Sequence, residues 1–147
     1  MPRPRAQARP AGLSDAQLFL DKAREFLRAA QDSLELSNNA AAVGNAVHAG
    51  ILAADTISAV RTRTAWRGEH AQAAAHLETA GEDGKLAGRH LRRLLPMKTR
   101  AEYEPTPIRP TDARAAVQAA DRLIALAGIA LAAASPDPQG GSKRSSA

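Results

Sequence analysis

The sequence predicts a single soluble all-α domain, a bundle of about four or five helices. Alanine fills 35 of the 147 positions, and it is the strongest helix former among the amino acids. Aromatic residues, which favour strands, make up only 3% of the chain. Apolar side chains recur at helical spacing in several segments, and no segment shows the alternation typical of a strand. A chain of this length can bury a hydrophobic core as one domain.

The first helix is predicted at residues 14–37. Ser14 and Gln17 have the spacing of a capping box, in which each side chain bonds to the other residue's backbone N–H. The apolar positions repeat every seven residues, at Leu20, Leu27 and Leu34. Charged residues fill the other faces, so this segment is predicted to be an amphipathic helix with one buried side.

The second helix, predicted at residues 38–61, is almost free of charge. Asp55 is the only formally charged residue between positions 40 and 60, and Asn38 or Asn39 can cap the helix start. The apolar residues on one face are Val43, Val47, Ile51, Ala54 and Ile57. Several polar residues and many alanines and glycines make the segment too weakly apolar for a membrane span. We therefore expect burial on most sides, within the bundle or in a dimer interface.

Shorter elements follow the second helix. A corner is predicted at residues 64–68, a short third helix at 69–79 and a turn at 81–84. The fourth helix is predicted at 85–95 and should end at Pro96, because proline lacks the N–H that continues the helical bonding pattern.

The last part of the domain is predicted to be a loop and a long helix. Residues 97–110 carry three prolines and are predicted to form an ordered loop packed across the bundle. Thr111 is then expected to cap the last helix, at residues 112–134.

The two ends of the chain differ in composition from the helical domain at 14–134. Residues 1–13 hold three arginines, which supply much of the net charge of +5, and they are predicted to form a basic flexible arm. Residues 135–147, SPDPQGGSKRSSA, have the composition of a disordered tail. The chain has no cysteine, which excludes disulfides and thiol nucleophiles and fits the reducing cytosol.

A polar trio on the second helix is the first candidate site. Asn45, His48 and Asp55 are spaced by three and seven residues, so they point to one side of the helix. As a buried polar cluster, His48 and Asp55 could act as an acid–base pair or bind a polar ligand. The alternative is a hydrogen-bond network that fixes helix register or a dimer.

A basic stripe on the fourth helix is the second candidate. Four cationic residues fall on one face, at Lys85, Arg89, Arg92 and Arg93. Guanidinium groups suit phosphate, because their planar fork bonds two oxygens at once. Aromatic residues that would stack on unpaired bases are nearly absent. The stripe is therefore predicted to bind nucleic-acid phosphates or, alternatively, to be an ordinary solvated helix face.

A metal site and a cofactor are not expected. His70 and His76 are six residues apart, so they do not share a helix face, and neither belongs to a metal-binding pattern. No glycine-rich phosphate loop follows a strand.

The order of these features resembles the HEPN family (higher eukaryote and prokaryote nucleotide-binding domains), over residues 15–127. The resemblance rests on four segments: NAVHAGILAADTI, GEHAQAAAHLETAG, LLPMKTRAEYEPTPI and TDARAAVQAADRLIALA. Its most specific piece is Lys98-x-Arg100-x-x-Tyr103. In many relatives a similar stretch locks the loop before the last helix, and the resemblance implies that role for these three residues.

The resemblance implies an antiparallel bundle that usually forms a homodimer. Many members bind or cleave RNA in toxin–antitoxin and phage-defence systems, often beside a nucleotidyltransferase. The nuclease members carry Arg-x4–6-His, a spacing that Arg63 and His70 satisfy, although the predicted corner lies between them. The resemblance implies that the His would serve as general acid and base and the Arg would stabilise charge on the phosphate.

We therefore expect a cytoplasmic, HEPN-like homodimer that binds nucleotide or RNA without a metal or cofactor, with a nucleotidyltransferase or antitoxin as its cognate partner. One alternative is a metal-independent endoribonuclease toxin that uses Arg63 and His70. The other is a non-catalytic interaction or structural protein.

Overall fold

The computed structural model describes residues 8–134, and this part of the chain is mostly helical. Its helices are α1 (Leu13–Glu35), α2 (Asn39–Thr62), α3 (Ala73–Leu77), α4 (Gly81–Tyr103) and α5 (Pro110–Ala134). A 3-10 turn at His70–Gln72 precedes α3, and two short strands complete the structure, β1 (Ala8–Pro10) and β2 (Thr64–Trp66). The predicted all-α bundle is confirmed.

Helices α2 and α5 form the centre of the bundle. Helix α1 packs against both of them, and α4 packs against the same pair. Contacts between α1 and α4 are few, so these two helices lie on different sides of the central pair. The predicted burial of α2 on most sides is confirmed, since most of its residues from Ala42 to Val60 are buried.

The core is built from leucine, isoleucine, valine and many alanines. The largest fully buried side chains include Leu20, Ile57, Leu91, Leu94 and Leu123. Burial of each such leucine or isoleucine contributes about 1.5–3 kcal/mol. Alanine supplies less apolar area, and its small side chain allows the helix backbones to approach one another closely.

The N-terminal boundary of the domain lies earlier than predicted. β1 pairs antiparallel with β2, with Ala8 opposite Trp66, and the buried Ala11 donates its N–H to the Arg63 carbonyl at 2.9 Å. The predicted arm at 1–13 is therefore wrong for residues 8–13. Strands of three residues are too short to show an alternating pattern. Residues 1–7 and the predicted tail at 135–147 lie outside the described residues.

The start of α1 also differs from the prediction. The helix begins at Leu13, and the Gly12 N–H donates to the Asp15 carboxylate at 2.8 Å. Gln17 instead donates to the Asp21 carboxylate at 2.9 Å. The predicted capping box of Ser14 and Gln17 is therefore wrong. The carboxylate of Asp15 accepts the backbone N–H at the helix start instead.

Helix α4 continues through Pro96 to Tyr103, so the predicted helix end and much of the predicted loop are wrong. Pro96 is exposed, where solvent can bond the carbonyl that loses its donor. Beyond the proline, Lys98 and Glu102 form an ion pair at 2.8 Å, one helical turn apart. Such pairs stabilise a helix, and the packing of Ala101 against the core adds to this effect.

Two boundaries around α3 are also shifted. The predicted helix at 69–79 is a 3-10 turn followed by the five residues of α3, and α4 begins at Gly81 within the predicted turn. Gly81 has a positive φ of 79°, which glycine adopts without strain.

Two helices of the described chain, α2 and α5, are long and apolar enough to cross a membrane by length and composition alone. In the most apolar window of each, 61% of the α2 residues and 50% of the α5 residues are buried inside the bundle. A core helix of a soluble protein meets the same criteria.

Candidate functional site

A groove of about 210 Å³ lies between α4 and α5, and we call it the α4–α5 groove. His90 and Arg93 line it from α4, and Gln118 and Arg122 line it from α5. The remaining walls are apolar, formed by Leu94, Met97, Ala115, Ala116 and Ala119. Two guanidinium groups, an imidazole and an amide thus meet over an apolar floor.

The electrostatics of the α4–α5 groove favour an anion. Burial lowers the pKa of His90, and the charges of Arg93 and Arg122 lower it further. Within residues 8–134, neither arginine forms an ion pair. The His90 Nδ1 atom is buried and has no hydrogen-bond partner in this part of the chain. The α4–α5 groove therefore carries net positive charge.

The predicted basic stripe is exposed on α4, but its four members differ in their partners. Arg92 donates to both carboxylate oxygens of Glu78, at 2.8 and 2.6 Å. Lys85 lies 3.6 Å from the Glu82 carboxylate. Arg89 and Arg93 have no carboxylate partner within residues 8–134.

Arg122 was missed from the sequence. It belongs to the polar side of α5, and its proximity to Arg93 arises from the packing of two helices that lie far apart along the chain. Helical periodicity reports which residues share a face of one helix. It does not report which face of a second helix will lie opposite.

A second hollow, of about 530 Å³, lies beside the 3-10 turn and α4, and we call it the His70 hollow. Its polar lining residues are His70, Arg92, Lys98 and Thr99. Burial lowers the pKa of His70, as do the charges of Lys98 and His48, while Glu102 opposes them. Both cations of this hollow are paired with a carboxylate, so it is less positive than the α4–α5 groove.

Arg63 has a structural role at the end of α2. It is the C-cap residue in the left-handed conformation, with φ of 55°, and its guanidinium donates to the carbonyls of Ala59 and Val60. Basic side chains commonly satisfy the free carbonyls at a helix end in this way. Arg63 does not line the His70 hollow. The described contacts thus leave the predicted catalytic pair unassembled.

The predicted buried trio on α2 does not form one cluster. Asp55 is buried and accepts the Trp66 backbone N–H and the Arg67 guanidinium, both at 3.2 Å. His48 is exposed and lies against the Phe26 ring, with centroids 5.2 Å apart. The prediction of burial is therefore wrong for His48, and Asn45 is only half-buried. All three lie toward one side of α2, but β2 covers only the end near Asp55.

Asp55 is therefore a structural residue that fixes β2 to α2. Burial raises the pKa of Asp55, and the Arg67 charge and the two hydrogen bonds oppose this rise. The carboxylate joins the helix to the segment that follows β2.

The predicted loop lock is placed differently from the expectation. Lys98, Arg100 and Tyr103 all belong to α4, and Tyr103 is 75% exposed. Arg100 lies 3.6 Å from the Asp112 carboxylate at the start of α5. Ile108 instead fixes the loop at 104–109, since it is buried and its carbonyl accepts the Asn39 side-chain amide at 3.1 Å.

Within residues 8–134, no group of three or more His, Cys, Asp or Glu side chains could hold a metal ion. No family model matches the sequence, and no curated protein and no solved structure matches it significantly. The side chains of the two hollows are therefore the features from which a function can be proposed.

Proposed function

We propose that the protein is a HEPN-like homodimer that binds nucleotide or RNA phosphates through the exposed cationic face of α4. The observation that carries this proposal is that Arg89 and Arg93, one helical turn apart on that face, have no carboxylate partner within residues 8–134. Arg93 also lines the α4–α5 groove together with Arg122. Three guanidinium groups without a carboxylate partner in the described chain thus belong to one region of the surface.

The chemistry of this surface suits a phosphate backbone rather than base edges. Arginine bonds two phosphate oxygens at once, and each phosphate it neutralises releases counterions, so binding weakens with salt. Among residues 8–134, no Phe, Tyr or Trp lines the α4–α5 groove, so this part of the chain offers there none of the large rings on which single-strand binders stack bases. We therefore propose binding that tolerates different RNA sequences.

A charge-reversal experiment tests the proposal. Arg89→Glu/Arg93→Glu should weaken binding to a fluorescent RNA oligonucleotide at least tenfold in an anisotropy titration. The slope of log affinity against log salt should fall by about 1.4, since each lost phosphate contact to a single strand contributes about 0.7. The matched control is Arg24→Glu/Arg28→Glu on α1, which makes the same charge change on another side of the bundle. Equal affinities of the two variants would refute the proposal.

The proposed dimer and its setting have separate tests. Light scattering should give a mass twice that of the 15.4 kDa chain. We place the protein in the cytoplasm, in a toxin–antitoxin or phage-defence system with a nucleotidyltransferase or antitoxin as its cognate partner. A gene for such a partner next to this one would support that setting. A dimer that binds no RNA would favour the interaction or structural protein instead.

A metal-independent endoribonuclease is the second candidate, because the His70 hollow is the larger of the two. A histidine with a lowered pKa can act as general base at neutral pH, and Arg92 and Lys98 line the same space. RNA cleavage that persists in EDTA and is lost in His70→Ala, but not in His76→Ala, would establish this activity. Wild-type protein that leaves RNA intact with and without EDTA would exclude it.

A further inference from the structure

We infer that the α4–α5 groove is a binding site for a terminal phosphate monoester, the end group of a nucleotide or of an RNA strand. The inference deepens the proposed function, because it names the part of the ligand that Arg93, Arg122 and His90 hold. The exposed arginines of α4 would then contact the internal phosphates next to this terminal group along an RNA strand.

The size of the groove favours a small end group. Its volume of about 210 Å³ is below the range of about 300–1,000 Å³ that is typical of sites for whole small-molecule ligands. A phosphate group can enter it while the sugar and base stay outside. Met97 and four small or branched apolar residues complete the walls of the groove.

The charge of the groove favours a monoester over an internal phosphodiester. A phosphate monoester carries about 1.5 to 2 negative charges at neutral pH, whereas a phosphodiester carries one. Arg93 and Arg122 approach from different helices, and Gln118 adds an amide donor. No carboxylate of the described residues lines the groove, so the charges of Arg93 and Arg122 are available to a dianion. In the His70 hollow, by contrast, Glu78 and Glu102 already occupy the cations.

Ligand binding in the groove is coupled to protonation of His90. The charged groups that line the groove beside it are Arg93 from α4 and Arg122 from α5, and both disfavour the imidazolium. A bound dianion would reverse that effect, because a negative charge near the ring favours its protonated form. Binding should therefore be accompanied by proton uptake at His90.

Calorimetric titrations with four probes test the inference. The probes are a short RNA with a 5′-phosphate, the same RNA with a 5′-hydroxyl, a nucleoside monophosphate and inorganic phosphate. We expect the wild type to prefer the phosphorylated RNA at least tenfold. Arg122→Gln should abolish this preference, whereas Arg114→Gln, an exposed position on the same helix outside the groove, should keep it. Proton uptake, read from the buffer dependence of the binding enthalpy, should disappear in His90→Gln.

The outcomes separate this inference from the proposed function. If the wild type binds both RNAs and binds them equally, or if Arg122→Gln keeps the preference, the inference is overturned, while RNA binding through Arg89 is left standing. Binding of the nucleoside monophosphate with no RNA affinity would support the inference, identify a free nucleotide as the source of the phosphate and refute RNA binding. If inorganic phosphate binds saturably to the wild type and Arg122→Gln abolishes this binding, the result would support a phosphate site in the α4–α5 groove.

Discussion

A pair of glycine substitutions on α2 should change stability in opposite directions. A Cβ atom added at Gly50 would lie 2.6 Å from Leu94 Cδ1 and 3.2 Å from Leu123 Cδ1, and both leucines are fully buried. Overpacking of such a core costs about 1–3 kcal/mol. A Cβ atom added at Gly44, on the same helix, would meet nothing within 4 Å. Gly44→Ala should therefore show only the gain in helix propensity, about 1 kcal/mol.

The difference between the two variants isolates the packing cost. Both replace a glycine of α2 by alanine, so the entropy change of the unfolded chain is the same and cancels. A difference of about 2 kcal/mol corresponds to roughly 4–8 °C in melting temperature. Urea unfolding and thermal melts followed by circular dichroism measure it. If Gly50→Ala stabilises the protein as much as Gly44→Ala, α2, α4 and α5 do not meet closely at Gly50.

Three further predictions test the fold. Gly84→Ala should destabilise by about 2–3 kcal/mol in urea unfolding, because its Cβ would lie 2.2 Å from the Leu77 carbonyl oxygen; an unchanged midpoint would contradict this contact. Pro96→Ala should stabilise by about 1–3 kcal/mol if α4 runs through this position, and no gain would indicate a helix that ends there. Burial raises the pKa of Asp55 in the folded protein, so the folded state holds this proton more tightly than the unfolded state. The free energy of unfolding of the wild type should therefore fall, relative to that of Asp55→Asn, as the pH rises from the ordinary carboxyl range through the raised pKa. A difference that does not change with pH would contradict this prediction.

The helices were largely predictable, because their apolar periodicity is a property of each segment by itself. The stripe of α1 and the near absence of charge on α2 led to the observed burial. The sequence rules failed at two places for different reasons. Pro96 is accommodated within α4 at an exposed position, and β1 forms only because the distant β2 lies beside it.

The candidate site was only partly predictable for the same reason. The exposure of Arg89 and Arg93 followed from the helical spacing of the stripe. The engagement of Arg92 by Glu78 depends on how α3 turns back onto α4. Arg63 shows the limit of spacing motifs, since its backbone conformation and its bonds to α2 carbonyls follow from the helix end.

The most direct test of the central claim is an NMR titration of isotopically labelled protein with a 5′-phosphorylated RNA oligonucleotide. We predict that the largest shift changes will occur at His90, Arg93 and Arg122 and along the exposed face of α4. Changes confined to α1 or centred on His70, or an unchanged spectrum at high RNA concentration, would contradict phosphate binding by this surface.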